Sequence, residues 1–423
     1  NMKLYLSEHD ILYDDPKEFG PDNRLVANLA KYIIDTYNGY SFGVAPKIIL
    51  DKGDNNDSLQ DWLSHVSFFD KLNELGKQTS IYGRSIGYVY QNENAETEFT
   101  YVSPSKAFII YDNTVNREPL AFVMYEYYKN ESEWQARGKI YYATKVYDFD
   151  NLKLSDEYTI NPYKIVPAVE FYENEERQGV LDPVKTLLNA YDKVLSQKAN
   201  QNEYFDNAYL AAIGIKFPIN PKTKKPDIDI ANNRFLYLPD VTQGTNPKLE
   251  FISKPDNDNM QENYLKRLED LIYQVSMVPN LNDQAFAGNQ SGVALQYKLL
   301  SLQNKTANQI RKFQKSLRQL FRIIFSVGQV VTNPDLWDQL SIEFHPNLPA
   351  DIAGAISDAK NVEGLVSQRT ALKLLPFVSD PDEEIKQINQ EKQENIKNAQ
   401  QAAGSLPDYL NDGEDDDDKS ETE

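Results

Sequence analysis

Residues 291–328 read SGVALQYKLLSLQNKTANQIRKFQKSLRQLFRIIFSVG, and this stretch decides the architecture. Val293, Tyr297, Leu300, Ala307, Ile310, Phe313, Leu317, Leu320 and Ile324 recur at three- and four-residue steps with no proline between them. That spacing predicts one amphipathic helix capped by Ser291; 38 residues at 1.5 Å each extend about 57 Å, longer than a small domain accommodates. Its charge is one-sided. No Asp or Glu occurs in it, whereas Lys298, Lys305, Arg311, Lys312, Lys315, Arg318 and Arg322 are all basic, in a chain of formal charge −20.

Upstream, Pro279 breaks a predicted helix over 259–278 with Tyr264, Leu268, Leu271, Ile272 and Val275 inward, and Asn280 to Gln290 form a small-residue and polar loop around Phe286. Six prolines between 215 and 255 punctuate short apolar runs, which predicts a compact module of strands and turns. Before it, Asp182-Pro183 has the form of a capped helix start, and Val184, Leu187, Leu188, Tyr191, Leu195 and Ala199 carry that helix toward Gly214. Two helices thus bracket a proline-rich tip.

In the first third, Asp22 is expected to cap a helix through Tyr37 that stops at Asn38-Gly39, and the run to Leu50 is expected to turn into a strand. Residues 51–57 read as a polar loop, since Gly53 and Asn55 do not fit the calcium-loop pattern. A helix from Leu59 to Tyr82, with Trp62, Val66, Phe69 and Leu72 on one face, should end at Gly83. From Ile86 to Phe171 the chain turns β-branched and tyrosine-rich, which predicts antiparallel strands. After Pro334, a strand at 340–344 leads to short helices near 351–362 and 367–375, a charged helix from Asp382 and an acidic disordered tail with Asp415 to Asp418.

Composition excludes several chemistries. There is no cysteine, and His9, His65 and His345 share no metal-binding spacing, so thiolate zinc, cysteine nucleophiles and triads are poor fits. Neither G-x-x-x-x-G-K-[ST] nor G-x-G-x-x-G occurs, so an ATP motor must lie elsewhere. Ser103 to Lys106 fits S-x-x-K only by coincidence, and Asp227 with Asp229 reads as turn carboxylates rather than a metal pair. No catalytic residue, metal or cofactor is expected. The chain has no run of about 18 apolar residues and no signal-peptide pattern at its start, so an intracellular, soluble protein without a membrane partner is expected.

At Ser291 the stretch GNQSGVALQYKLLSLQNKT resembles the signature of portal proteins from long-tailed phages of Gram-positive hosts. The stretches NRLVANLAKYIIDTYNGYSFGVAPKI, YGRSIGYVY, KIVPAVEFYENEERQGVLDPVKTLLNAYDKVLSQKANQNEYFDNAYLAAIG and FHPNLPADIAGAISDAKNVEGLVSQRTALKLLPFVSDPDEEIKQINQE, in that order, extend the resemblance over about residues 20 to 395. It implies an α+β, mainly helical portal-type subunit with long stem and tunnel helices, a strand-rich wing and a small α/β clip, assembled in a ring of usually twelve. By this likeness residues 1–21 are an N-terminal arm, 22–181 the wing, 182–214 and 259–279 the stem helices, and 215–258 the clip. Residues 280–290 are then the tunnel loop, 291–344 the long tunnel helix and wing return, 345–400 the crown, and 401–423 the acidic tail. The clip is compact and the crown fairly short for the family.

The resemblance further implies a channel at one capsid vertex for packaging, retaining and ejecting double-stranded DNA without sequence specificity. Asn282, Asp283, Gln284, Phe286 and Asn289 would meet the duplex, the seven cations would touch DNA or a neighbouring subunit, and Lys222, Lys224 and Lys225 would make clip contacts. Implied partners are further copies of the chain, the packaging terminase ATPase, a head-completion adaptor, and the scaffolding and major capsid proteins, in the virion and in the host cytoplasm during assembly. Two other readings remain open from residues alone: a capsid-associated or adhesion module built on the tyrosine-rich strands, and a metal-dependent nucleic-acid enzyme using acidic pairs.

Overall fold

The computed structural model describes residues 1–50, 54–205, 209–222, 224, 235–239, 246–252, 258–282, 292–347, 352–362, 364–375, 378 and 381–404. It divides into two units, 1–347 and 348–423.

The first unit opens with a short helix α1 (Met2–Tyr5) and a 3-10 turn (Asp10–Tyr13), and the first long helix is α2 (Leu29–Phe42). The expected start after Asp22 is corrected: Asn28 is the cap, its side chain accepting the N–H of Lys31, and Asp22 pairs with Arg24 instead. Residues 23–27 run extended instead, tied to a neighbouring helix through alternate N–H groups. Those of Asn23, Leu25 and Ala27 donate to Asn200, Ser196 and Asp192, every second residue of an extended strap meeting every fourth residue of a helix. The spacings agree, since two extended residues rise about 6.6 Å and four helical residues about 6 Å.

Strand β1 (Lys47–Ile49) pairs antiparallel with residues 341–343, far along the chain. The single helix expected from 59 to 82 is two, α3 (Asp54–His65) and α4 (Phe68–Tyr82), so residues 54–57 are helical rather than loop. Ser67 adopts a left-handed conformation (φ 51°) between them, and this turn lets both Val66 and Phe68 enter the core. Gly83 ends α4 as expected. At φ 82° it donates to the carbonyl of Thr79, and a Cβ there would lie 2.0 Å from the carbonyl oxygen of Arg177.

The predicted antiparallel strands are present as two sheets. One has the order β3 (Thr97–Val102), β2 (Arg84–Gln91), β9 (Ala168–Tyr172); the other runs β4 (Ala107–Tyr111), β5 (Pro119–Asn130), β6 (Glu133–Tyr142), β7 (Lys145–Asp150), β8 (Lys153–Ile160). Ile86, Ala107, Phe122, Val166 and Ala168 join them in a small core.

A 3-10 turn at Asp182–Val184 leads into α5 (Lys185–Phe205), so Asp182 lies inside the first turn rather than capping it, and its carboxylate accepts the N–H of Gly179. The helix does not reach Gly214. Strand β10 (Tyr209–Ile213) already belongs to the next module, pairing parallel with β11 (Phe235–Leu238) and antiparallel with β12 (Lys248–Ile252). Helix α6 (Asp258–Ser276) returns against α5.

Helix α7 (Gly292–Phe325) confirms the long rod, 34 residues or about 51 Å. Its C-terminal half carries Phe313, Leu317, Leu320, Phe321 and Ile324 through the main core with α3, α4, β2, β3 and β9. Its N-terminal half places Leu299 and Leu302 in a second core with α1, α2, α5 and α6. Here the expected stripes are corrected: Tyr297 and Leu300 on α7, like Tyr264 and Val275 on α6, are exposed, while Leu265, Leu268 and Ile272 point inward. A 3-10 turn at Pro334–Gln339 then returns the chain to β13 (Ser341–Glu343). In the second unit, α9 (Gln368–Leu372), capped by Ser367, packs against both α8 (Ile352–Asn361) and α10 (Pro381–Gly404).

Candidate functional site

The loop expected to carry function is entered through a built anchor. Ser276 ends α6, its hydroxyl donating to the carbonyl of Tyr273 (3.1 Å), and Met277 follows at φ 62°, which turns the chain out of the helix. Asn280 then donates to Glu269 on α6 (3.0 Å), the N–H of Leu281 donates to the hydroxyl of Tyr32 on α2 (2.9 Å), and that of Asn282 to the side chain of Asn280 (3.1 Å). Tyr32 meets Tyr273 edge-on at 5.9 Å, and Lys305 of α7 donates to the carbonyl of Ser276 at 3.1 Å. Three helices thus fix the segment at 276–282. Asn282 is exposed; Asp283, Gln284, Phe286 and Asn289, with the cap Ser291, lie outside the described residues.

The seven cations fall on two faces of α7. Lys298, Lys305 and Lys312 recur every seven residues, whereas Arg311, Lys315, Arg318 and Arg322 follow steps of four, three and four. Lys298 and Lys305 are half-buried. Lys312 pairs with Glu175, Arg318 donates to the carbonyl of Asp338 (3.2 Å), and the Arg322 guanidinium lies over Trp337 (5.7 Å). Arg311 and Lys315 are exposed side by side. Of the clip lysines, Lys222 and Lys224 are exposed in a turn closed by Asn220, and Lys225 lies outside the described residues.

Sequence reasoning missed the buried polar groups behind this helix. Glu173, just past β9, accepts from the hydroxyl of Tyr37 (2.8 Å) and from the amide of Gln309 (2.5 Å), which also reaches Ser80. Burial pushes its carboxyl up to about 7, against the pull of Lys305, and burial also lowers the Lys305 ammonium from its ordinary value. Lys305 sits over the Tyr37 ring at 5.4 Å. Nearby, Glu170 is held by Arg177 at 2.9 Å and Arg84 at 3.6 Å. The stretch EFYENEE gives no sign of this, because nothing in a run of four acids within seven residues marks which of them is buried. Among the described residues, no three His, Asp or Glu gather as metal ligands, and no helix is long and apolar enough to cross a membrane.

The five-stranded sheet has a partly exposed aromatic face. Its pairing lines up Phe108, Val123, Ile140, Tyr147 and Tyr158 across all five strands, with Ile110, Ala121 and Tyr142 in the next row. Tyr142 meets Tyr147 at 6.0 Å, Tyr147 meets Tyr158 at 5.7 Å, and Lys145 caps the Tyr158 ring at 4.0 Å. Phe108, Ile110, Tyr127, Tyr142, Leu154, Tyr158 and Ile160 are 40–79 % exposed. Together these side chains leave on the order of several hundred Å² of apolar surface on this face.

The family model described as "Phage portal protein, SPP1 Gp6-like" matches residues 1–398. The chain is similar to the portal protein of Bacillus phage SPP1, with 24 % identity over 433 residues covering 92 % of this chain and 82 % of that protein. It is also similar to the portal protein of Clostridium phage phiCD119, with 24 % identity over 400 residues covering 88 % and 85 %. Both phages have Gram-positive hosts, in keeping with the resemblance carried by the Ser291 stretch. With the match running through the strap, both sheets, the loop anchor and the long helix, this chain belongs to the phage portal protein family of the SPP1 Gp6-like type.

Proposed function

We propose that this chain is the subunit of a ring, of about twelve copies by the family's habit, that forms the channel at one capsid vertex for packaging, retaining and ejecting double-stranded DNA. The observation that carries this reading is the family match across residues 1–398. In the same reading the ring docks the packaging terminase ATPase, then a head-completion adaptor, and contacts the scaffolding and major capsid proteins in the virion.

The physical case concerns charge and the loop anchor. DNA must be held coaxially without adhering, and a chain of charge −20 repeated around a ring repels phosphate from all sides. Contacts that slip are then left to the loop after Asn282, where Gln284, Phe286 and Asn289 make weak, renewable interactions with the duplex. Its entry point, pinned by Tyr32, Glu269 and Lys305, gives the loop a rigid base. The cations of α7 serve packing and subunit contact more than phosphate binding: Lys312, Arg318 and Arg322 already engage groups of their own chain, and Arg311 and Lys315 are left to face an acidic neighbour. In a packaging assay, Gln284→Ala with Phe286→Ala should impair DNA filling or retention; normal filling and retention would remove the loop from the mechanism.

A further inference from the structure

The seven-residue spacing that makes Lys305 look like one more surface cation hides its position. Its ammonium turns inward, over the Tyr37 ring, and donates to the carbonyl of Ser276, the last residue of α6. The only charged group bearing on Glu173, among the described residues, is that same ammonium. Every packed element also supplies a polar contact to the carboxylate or its partners. Tyr37 comes from α2, Ser80 from α4, and Gln309 from α7, while the backbone N–H of Glu173 donates to Gly83.

One atom in this cluster is unsatisfied. The side-chain oxygen of Gln309 is buried with no hydrogen-bond partner, although its amide nitrogen is fully used. Such an orphan acceptor costs about 1–3 kcal/mol if nothing ever uses it.

We propose that buried Glu173 and half-buried Lys305 are positioning residues forming a proton-sensitive latch, in which the ionised carboxylate draws the Lys305 ammonium onto the end of α6 and protonation slackens the anchor at 276–282. The latch closes as the pH rises through neutrality, where burial has placed the carboxyl. Global stability runs the opposite way. A buried acid whose pKa is raised stabilises the fold fully below the ordinary carboxylate range and loses that contribution as pH rises through about 7. Local grip and overall stability are thus separable by experiment.

That the held segment touches DNA rests on the ring-channel reading; the latch itself does not, and it is measured at the anchor. Amide hydrogen exchange of peptides spanning 273–281 is followed in the full chain at pH 6 and pH 8, each rate divided by the intrinsic rate at that pH. Wild type should exchange roughly fivefold more slowly at pH 8, the equivalent of about one hydrogen bond. Glu173→Gln, nearly isosteric, should lose the pH dependence and exchange at the faster rate throughout. Lys305→Met should do the same, while Lys305→Arg, which keeps a cationic donor, should retain protection. A pH dependence that persists in E173Q, or a wild type flat across the range, overturns the latch even if rings form and package DNA.

Discussion

Both ring nitrogens of His9 face acceptors: Nδ1 meets the Oδ2 of Asp192, and Nε2 meets the carbonyl of Leu4 at 3.0 Å. Two acceptors require two N–H groups, so the buried ring is an imidazolium, paired with a carboxylate whose other oxygen takes the N–H of Ala27. His9 and Asp192 are each 1 % exposed. The pair fastens the first nine residues and the strap to α5.

Stability should therefore depend on pH through His9. Burial lowers its pKa, but the bond to Asp192 and that residue's charge outweigh burial and leave it above the usual 6.5. A base raised on folding contributes fully below its unfolded value and loses that contribution as pH rises through the folded one. Urea unfolding should show the chain weakening from pH 6 upward, and Asp192→Asn should remove about 3 kcal/mol at pH 6 by leaving the pair unmatched. An unchanged midpoint in that variant would refute the charged pair.

The strap predicts a local effect. Ser196→Ala strips the acceptor of the Leu25 N–H and Asn200→Ala that of Asn23, each costing about 0.5–1.5 kcal/mol. Limited trypsin digestion should cut after Arg24 sooner in the double variant than in wild type, while far-UV dichroism stays the same.

The aromatic sheet face offers a test of where subunits meet. Exposed aromatic and aliphatic side chains on one sheet face are the kind of surface a subunit contact buries. Tyr158→Lys with Ile160→Lys adds charge at two exposed positions of the edge strand β8, so the subunit should fold with wild-type dichroism yet form fewer closed rings by native mass spectrometry.

Much of the fold was legible. The long helix announced itself because 34 residues without proline keep one apolar face, and Gly83 announced the end of α4 because only glycine sits easily at φ 82° against a carbonyl. The strands from Ile86 onward followed from their β-branched and tyrosine-rich composition. Periodicity failed where burial is polar. His9, Asp192, Ser196, Glu173 and Gln309 are all buried, and each bonds to a partner far away in the chain, which no local pattern encodes. The same blindness set Tyr264, Val275, Tyr297 and Leu300 inward: an apolar side chain at helical spacing signals a face, not what covers it.

The central claim is that this chain closes into a ring around a DNA-sized channel, and electron microscopy of the purified protein, with native mass spectrometry for the copy number, tests it most directly. Closed rings of about twelve subunits with an open axial channel are predicted at micromolar concentration. A strictly monomeric species, or particles without a central opening, would contradict it.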